Sequence, residues 1–364
     1  MRILIVHPLM SAMGGGERLC CETIRTLISR GHDITLLSGE FKADRLERFF
    51  GFEGLFRAIS VKTYPADSRD RFGTYKHLLH HVKAQRKFVS ADSDYDFVFS
   101  TQDAGYIPDI SRPVVQWGYF PNSFPGGLYS WPLRVHYSLK IRRINLVLAI
   151  SEYSKSHFDE AWKVPTVLVY PACNMIRPRI VRDNVVVTAA RGVPEKNLEL
   201  FWEVARRCPN YEFVLLLTQD PRFVEYSRAL QATAPMNGRV IVDPDKEVYQ
   251  ETLARSRIYL HLMRGEHFGI TVVESMSAGC VPVVHDSGGP KEIVGSSGLL
   301  WRNIGEIPGL LTIADTSYQT MSKFSMERAR AFSREKFDKL FGEVLERTVS
   351  RVPSRDPSKE EGSS

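Results

Sequence analysis

Short apolar runs alternate with amphipathic stretches along this chain, and they fall into two successive series. The first opens with Arg2-Ile3-Leu4-Ile5-Val6, a strand over 2–6, followed by a Gly14-Gly15-Gly16 turn and helical periodicity over 17–30. Apolar runs predict further strands at 34–37, 97–100, 114–116, 146–150 and 166–170, with a helix at 154–161. After the charged stretch 177–183 the pattern restarts. Strands are expected at 185–190, 213–217, 240–242, 258–262 and 281–284, with helices at 198–207, 249–256 and 271–278. A long helical tract from about 321 to 349 closes the series. Strands alternating with helices in this way predict an α/β protein built on parallel sheets.

At about 150 residues per domain, 364 residues make two domains. The restart divides them into 1–172 and 173–325, joined by a linker bracketed by Pro171 and Pro178. Residues 326–350 read as a C-terminal helix packing back on the first domain. The polar tail 351–364 lacks large apolar residues and is expected to be disordered. The formal net charge of +6 fits either an anionic partner or a solvated basic surface. Five cysteines (Cys20, Cys21, Cys173, Cys208 and Cys280) are an odd number with no zinc-ligand spacing, so free thiols in a reducing, cytoplasmic compartment are expected. No apolar run is long enough to cross a bilayer, which leaves membrane contact peripheral.

The densest chemistry lies in Gly265-Glu266-His267-Phe268-Gly269-Ile270-Thr271-Val272-Val273-Glu274 and continues through Ala278-Gly279-Cys280-Val281-Pro282-Val283-Val284. A loop here enters a helix near Thr271, so the N–H groups of Gly269, Ile270 and Thr271 sit at a helix N-terminus suited to phosphate. Glu266 lies just outside that terminus and Glu274 one turn inside it. Carboxylates beside an anion site are useful for holding polar, uncharged groups such as sugar or ribose hydroxyls. Thr271 and Glu274 also fit a helix capping box, so Glu274 has two readings. Arg191 and Lys196 follow the first strand of the second series, beyond a strand end where ligands of open α/β sheets sit, and cations there are poorly placed for the helix dipole. Gly14, Gly15 and Gly16 let backbone approach a ligand closely at the opening of a helix. No Asp-x-Asp-type cluster stands out to hold a metal ion.

Two glutamates seven residues apart, with Phe-Gly between and Ala-Gly-x-x-Pro-Val-Val after, resemble the donor-site signature of retaining glycosyltransferases of family 4, also called group 1. Their fold is GT-B, two Rossmann-like doubly wound domains facing across a cleft. His267-Phe268-Gly269-Ile270 and His285-Asp286-Ser287-Gly288-Gly289-Pro290-Lys291 look most like the lipid-linked-oligosaccharide mannosyltransferases of the dolichol pathway. The resemblance implies that Glu266 contacts hydroxyls of the transferred sugar, that Glu274 contacts the nucleotide ribose, and that Arg191 and Lys196 grip the diphosphate. Gly15, Gly16, Phe268, Gly269, Ile270 and Thr271 would complete the donor site. Relatives often carry a His before an aromatic-Pro pair in the first domain. Tyr119 stands there instead, which leaves Tyr119 and His136 as acceptor-side candidates and His7 as a further histidine within the first domain.

The implied reaction moves a hexose, with mannose as the first choice, from GDP-mannose or a UDP-sugar to a glycan or polyprenyl-diphosphate-linked glycan. It needs no cofactor and no metal, and no nucleic-acid module is present. The rival readings are a nucleotide-sugar epimerase and a non-catalytic nucleotide-sugar-binding protein on the same fold. Two stretches are candidates for an anionic membrane surface. In 75–87, Tyr75, Leu78, Leu79 and Val82 fall on one helical face and Lys76, His80, Lys83 and Lys87 on another. The other runs from Tyr119 to Arg143 and mixes Phe124, Tyr129, Trp131 and Tyr137 with Arg134, Lys140, Arg142 and Arg143.

Overall fold

A computed structural model of the chain describes residues 1–65, 73–90, 94–122, 124 and 127–349. The tail 351–364, expected to be disordered, lies outside the described residues. Seven strands form the first sheet: β1 (Arg2–Val6), β2 (Asp33–Gly39), β3 (Ser60–Tyr64), β4 (Phe97–Ser100), β5 (Val114–Gly118), β6 (Ile144–Ala149) and β7 (Thr166–Leu168). They are parallel and run in the order β3-β2-β1-β4-β5-β6-β7. Six form the second: β8 (Asp183–Arg191), β9 (Glu212–Thr218), β10 (Gly238–Val242), β11 (Ser256–Leu260), β12 (Val281–His285) and β13 (Leu299–Trp301). Their order is β10-β9-β8-β11-β12-β13, again all parallel.

Central strands are buried on both faces, which is why they read as unbroken apolar runs such as Phe213-Val214-Leu215-Leu216-Leu217. The order reverses between β1 and β4 in one sheet and between β8 and β11 in the other. In open α/β sheets ligands collect beyond the strand carboxyl ends at such reversals. Those ends lead into the Gly14–Gly16 turn, into Arg191 and Lys196, and into the Glu266 loop.

The expected long tract from 321 to 349 is two helices, Tyr318–Ala329 and Arg334–Val349, with a short turn between them. Phe332 in that turn is buried against Tyr170 and Phe268, which a continuous helix would not allow. Beyond the break, Phe337 and Phe341 stack on Trp117 of β5, and Asp338 accepts a 2.5 Å hydrogen bond from Thr26. The last helix thus packs on the first sheet's helix, Gly15–Ser29. Among the described residues no helix is long and apolar enough to cross a membrane. All five cysteines are free and buried.

Candidate active site

Two helix N-termini face each other between the sheets. On the first side β1 ends at Val6, and the chain turns through Gly14 into the helix Gly15–Ser29. The turn is fastened from beneath. Glu17 accepts a 2.5 Å hydrogen bond from the Gly14 N–H, and its other oxygen lies 3.1 Å from His7 Nε2. His7 Nδ1 is 2.9 Å from Thr101 Oγ1. Burial disfavours a charged His7, but Cys20 and Glu17 beside it outweigh this and push its pKa up to about 10. Burial likewise disfavours charge on Glu17, and His7 and the Gly14 N–H hold its pKa below the ordinary carboxylate range.

On the second side, Gly269 caps the helix Ile270–Ser277 at φ +105°, a conformation that favours glycine. Gly15 and Ile270 are close enough that a Cβ on Gly15 would lie 3.2 Å from Ile270 Cδ1. A Cβ on Gly14 would lie 3.9 Å from Arg191 Nη1. The two glycine turns, the two helix starts and Arg191 therefore border one space. Such a space can hold an anion, because unpaired N–H groups and a guanidinium converge on it.

Arg191 ends β8 with its side chain 38% exposed, 3.8 Å from Asp220. Arg222 hydrogen-bonds Asp220 with two nitrogens at 2.9 and 2.7 Å, and this contact dominates in pulling the Asp220 pKa down to about 2. Asp220 thus stays ionised and braces Arg191. Lys196 follows in the turn Pro194–Lys196 and pairs with Glu266. Burial works against the Glu266 charge, but Lys196 and then His261, whose Nε2 is 3.8 Å away, hold its pKa well below the usual range. Glu266 is accordingly an anion at neutral pH, and two of the three Lys196 donors remain for a ligand.

The Glu266 loop is supported by the segment after β12. Gly289 N–H donates to the Glu266 carbonyl at 2.8 Å, and Gly265 N–H donates to Ser287 Oγ at 3.0 Å. Any Cβ on Gly288, whose φ is +74°, would lie 2.4 Å from the Glu266 carbonyl oxygen. These glycines let two backbones touch, and that contact sets the position of Glu266.

Several expected residues sit differently from their expected parts. Phe268 turns its ring into the core beside Tyr170 and Phe332, so it anchors the loop. Thr271 Oγ1 accepts from Tyr259 at 2.7 Å. Glu274 does not complete a capping box: Gly269 is the cap, and no side chain caps this helix. The Glu274 carboxylate, in a residue only 3% exposed, instead pairs with Arg18 from the first side and accepts 2.7 Å from Tyr249. Tyr119 lies beneath the glycine turn, its hydroxyl 2.9 Å from the Thr101 carbonyl and 3.3 Å from that of Gly16. His136 bonds the Gly105 carbonyl at 2.9 Å on the helix Trp131–Ile141.

The basic stretches also change. Leu78 is buried and Val82 half-buried within the first domain, which uses the apolar face of the helix Gly73–Gln85 for its own core. Lys140 is buried and pairs with Asp109 at 2.7 Å, as does Arg143 at 3.0 Å, so both are spent internally. Leu79, Leu128, Tyr129, Trp131 and Leu139 remain exposed, alongside Arg134 and Arg142.

Arg18, Tyr249, His261, Asp220 and the Ser287–Gly289 support were not anticipated. His261 directly follows β11 five residues before Glu266, and Asp220 lies two residues after the end of β9; position after a strand end was the usable signal. Among the described residues no group of three or more His, Cys, Asp or Glu is placed to hold a metal ion.

Residues 176–301 match the family model for glycosyl transferases group 1. The GDP-Man:Man(3)GlcNAc(2)-PP-Dol alpha-1,2-mannosyltransferase of Yarrowia lipolytica is 29% identical over 177 residues, 40% of this chain and 28% of that protein. The mouse protein of the same name is 27% identical over 199 residues, 48% of this chain and 39% of its own length. The matches therefore span well under half of these relatives. Among solved structures, Anabaena HepE in complex with UDP and glucose superposes with TM-score 0.72 at 17% identity, covering 95% of this chain and 99% of that one. Sucrose-phosphate synthase from Thermosynechococcus elongatus gives TM-score 0.76 at 13% identity, covering 96% and 99%. The chain thus has the GT-B architecture, and its residues 176–301 resemble the group 1 glycosyl transferases.

Proposed function

We propose that this protein is a hexosyltransferase that moves mannose from GDP-mannose to a glycan carried on a polyprenyl diphosphate, retaining the anomeric configuration. The observation that carries the reading is the pairing of an ionised Glu266 with Lys196 beside Arg191, at the point where two helix N-termini converge. The group 1 domain and the names of the matching relatives favour a sugar donor, and the printed donor of those relatives favours GDP-mannose over a UDP-sugar.

In this reading the diphosphate lies between Arg191, Lys196 and the N–H groups of Ile270 and Thr271. The sugar extends toward Glu266, which accepts hydrogen bonds from its hydroxyls. As the bond from the anomeric carbon to the phosphate oxygen breaks, the cations take up the charge left on the phosphate. The acceptor hydroxyl attacks from the same face and gives its proton to that phosphate. No metal takes part in these steps, and no bound cofactor is needed. Tyr119 and His136, bonded to backbone carbonyls of the first domain, are the acceptor-side candidates of this reading.

The acceptor lipid would be met at the cytoplasmic face of an anionic membrane. Exposed Leu128, Tyr129, Trp131 and Leu139 beside Arg134 and Arg142 support this, since apolar and basic groups together suit such an interface. Thermal unfolding with GDP-, UDP- and ADP-sugars, followed by a transfer assay on a lipid-linked glycan, tests the proposal. A donor at 100 times its Kd stabilises the fold by about 2.7 kcal/mol. GDP-mannose should give the largest shift and a lipid-linked product, and a chain that no nucleotide sugar stabilises would refute it.

A further inference from the structure

Arg18 sits one turn into the helix Gly15–Ser29, yet its guanidinium reaches across to Glu274 of the opposite domain. Both side chains are less than 10% exposed, and among the described residues this is the buried ion pair that joins the two sheets. Burying two charges costs more than a surface contact would, so a simple staple between domains is poorly served by it. The second carboxylate oxygen is held by Tyr249 at 2.7 Å, which leaves lone pairs on a carboxylate whose plane is set from both sides. Arg18 Nε is buried without a hydrogen-bond partner, a donor left open at this junction.

We propose that Arg18 is a positioning residue of the donor site: it orients the Glu274 carboxylate for the hydroxyls of a nucleotide ribose, so that both domains build nucleotide recognition. This rests on the reading of Glu274 as the ribose acceptor. Arg18 need not touch the donor. Its guanidinium balances the charge of this buried carboxylate and holds one of its oxygens, so the carboxylate is kept in one orientation. Tyr249 alone could not do this, because a neutral hydroxyl donates one hydrogen bond and supplies no charge.

The test compares three probes on the full chain: GDP, 2′,3′-dideoxy-GDP and inorganic pyrophosphate, titrated by calorimetry. Wild-type protein should prefer GDP to the dideoxy compound by about 10- to 100-fold, the value of hydrogen bonds to a charged acceptor. Arg18→Met should lose most of that preference while binding pyrophosphate as before, because Arg191 and Lys196 are untouched. Arg18→Lys, which keeps the charge at a different reach, should recover part of it. A merely structural Arg18 would weaken all three probes together or none of them. A full wild-type preference in both variants would overturn the proposal and leave the ribose reading standing. Absence of any preference in the wild type would overturn the ribose reading itself, and this proposal with it.

Discussion

The two walls of the cleft share one strand order but present opposite surfaces. In the wall built on β1, the charged residues near the cleft are buried in ion pairs, His7 with Glu17 and Arg18 with Glu274 of the other wall. His7, Glu17 and Arg18 are all buried, and glycine backbone is what faces the space. The wall built on β8 keeps Arg191, Lys196 and Glu266 partly open, at 38%, 23% and 17% side-chain exposure. One wall therefore offers shape and a helix N-terminus, and the other offers charge. The lesson is that similar strand and loop architecture can serve two tasks, depending on how deeply its ion pairs are buried.

The sharpest way to break this contrast is to remove charge from the open wall. Arg191→Ala or Lys196→Ala should slow transfer by about 10²–10³-fold, the usual loss when one charge-stabilising donor is removed. A radiochemical transfer assay with GDP-mannose checks it. In the closed wall, Gly15→Ala meets only the flexible end of Ile270 and should cost far less.

Next in size is the glycine contact beneath Glu266. Gly288→Ala drives a Cβ to 2.4 Å from the Glu266 carbonyl and also forces alanine to φ +74°. It should destabilise the protein by about 3 kcal/mol in chemical denaturation. Gly31→Ala is the control, since its φ is +78° with nothing within 4 Å of the new Cβ. That variant should pay only the left-handed backbone cost, about 1 kcal/mol. Equal losses would mean that the Glu266 loop does not depend on the contact.

The closed wall makes a prediction in pH. His7 has a raised pKa, so its contribution is complete below the unfolded value of about 6.5 and is lost as pH rises toward 10. Glu17 has a depressed pKa, so its contribution is present above the unfolded value of about 4.3 and is lost as pH falls below it. The gap in melting temperature between wild type and Glu17→Gln should be widest between these limits and shrink on either side. A gap that stays constant from acid to alkaline pH would show that the pair is not ionised.

Much of this was legible in the sequence, for a physical reason. Interior strands such as β9 and β12 are apolar through 213–217 and 281–284 because helices cover both of their faces, and they stood out as runs. The edge strands β3 and β13 did not. Ser60-Val61-Lys62-Thr63-Tyr64 is half polar because one edge faces solvent, and Leu299–Trp301 is three residues long. Arg191, Lys196 and Glu266 stood out as candidates because each lies close to a glycine or proline turn after a strand. The Arg18–Glu274 pair was invisible because its members are 256 residues apart and no local pattern links them. The capping box failed for a related reason: a tertiary partner took the carboxylate that the local pattern had assigned to the backbone.

The smallest effect is expected at the membrane. Arg134→Glu with Arg142→Glu should weaken sedimentation with phosphatidylserine vesicles, at about 1 kcal/mol for each basic residue near the surface, and added salt should do the same to the wild type. Wild-type protein that ignores such vesicles at low salt would remove the membrane proposal and leave the donor site as it stands.

Glu266→Gln tests most directly whether the open wall handles the sugar and not merely the nucleotide. The substitution keeps the shape and removes the charge that Lys196 now neutralises, so calorimetry should find GDP binding unchanged or tighter. Transfer of mannose by the same preparation should fall about a hundredfold, because the sugar loses the acceptor that positions it. Near wild-type turnover, or loss of GDP binding, would contradict the role assigned to Glu266.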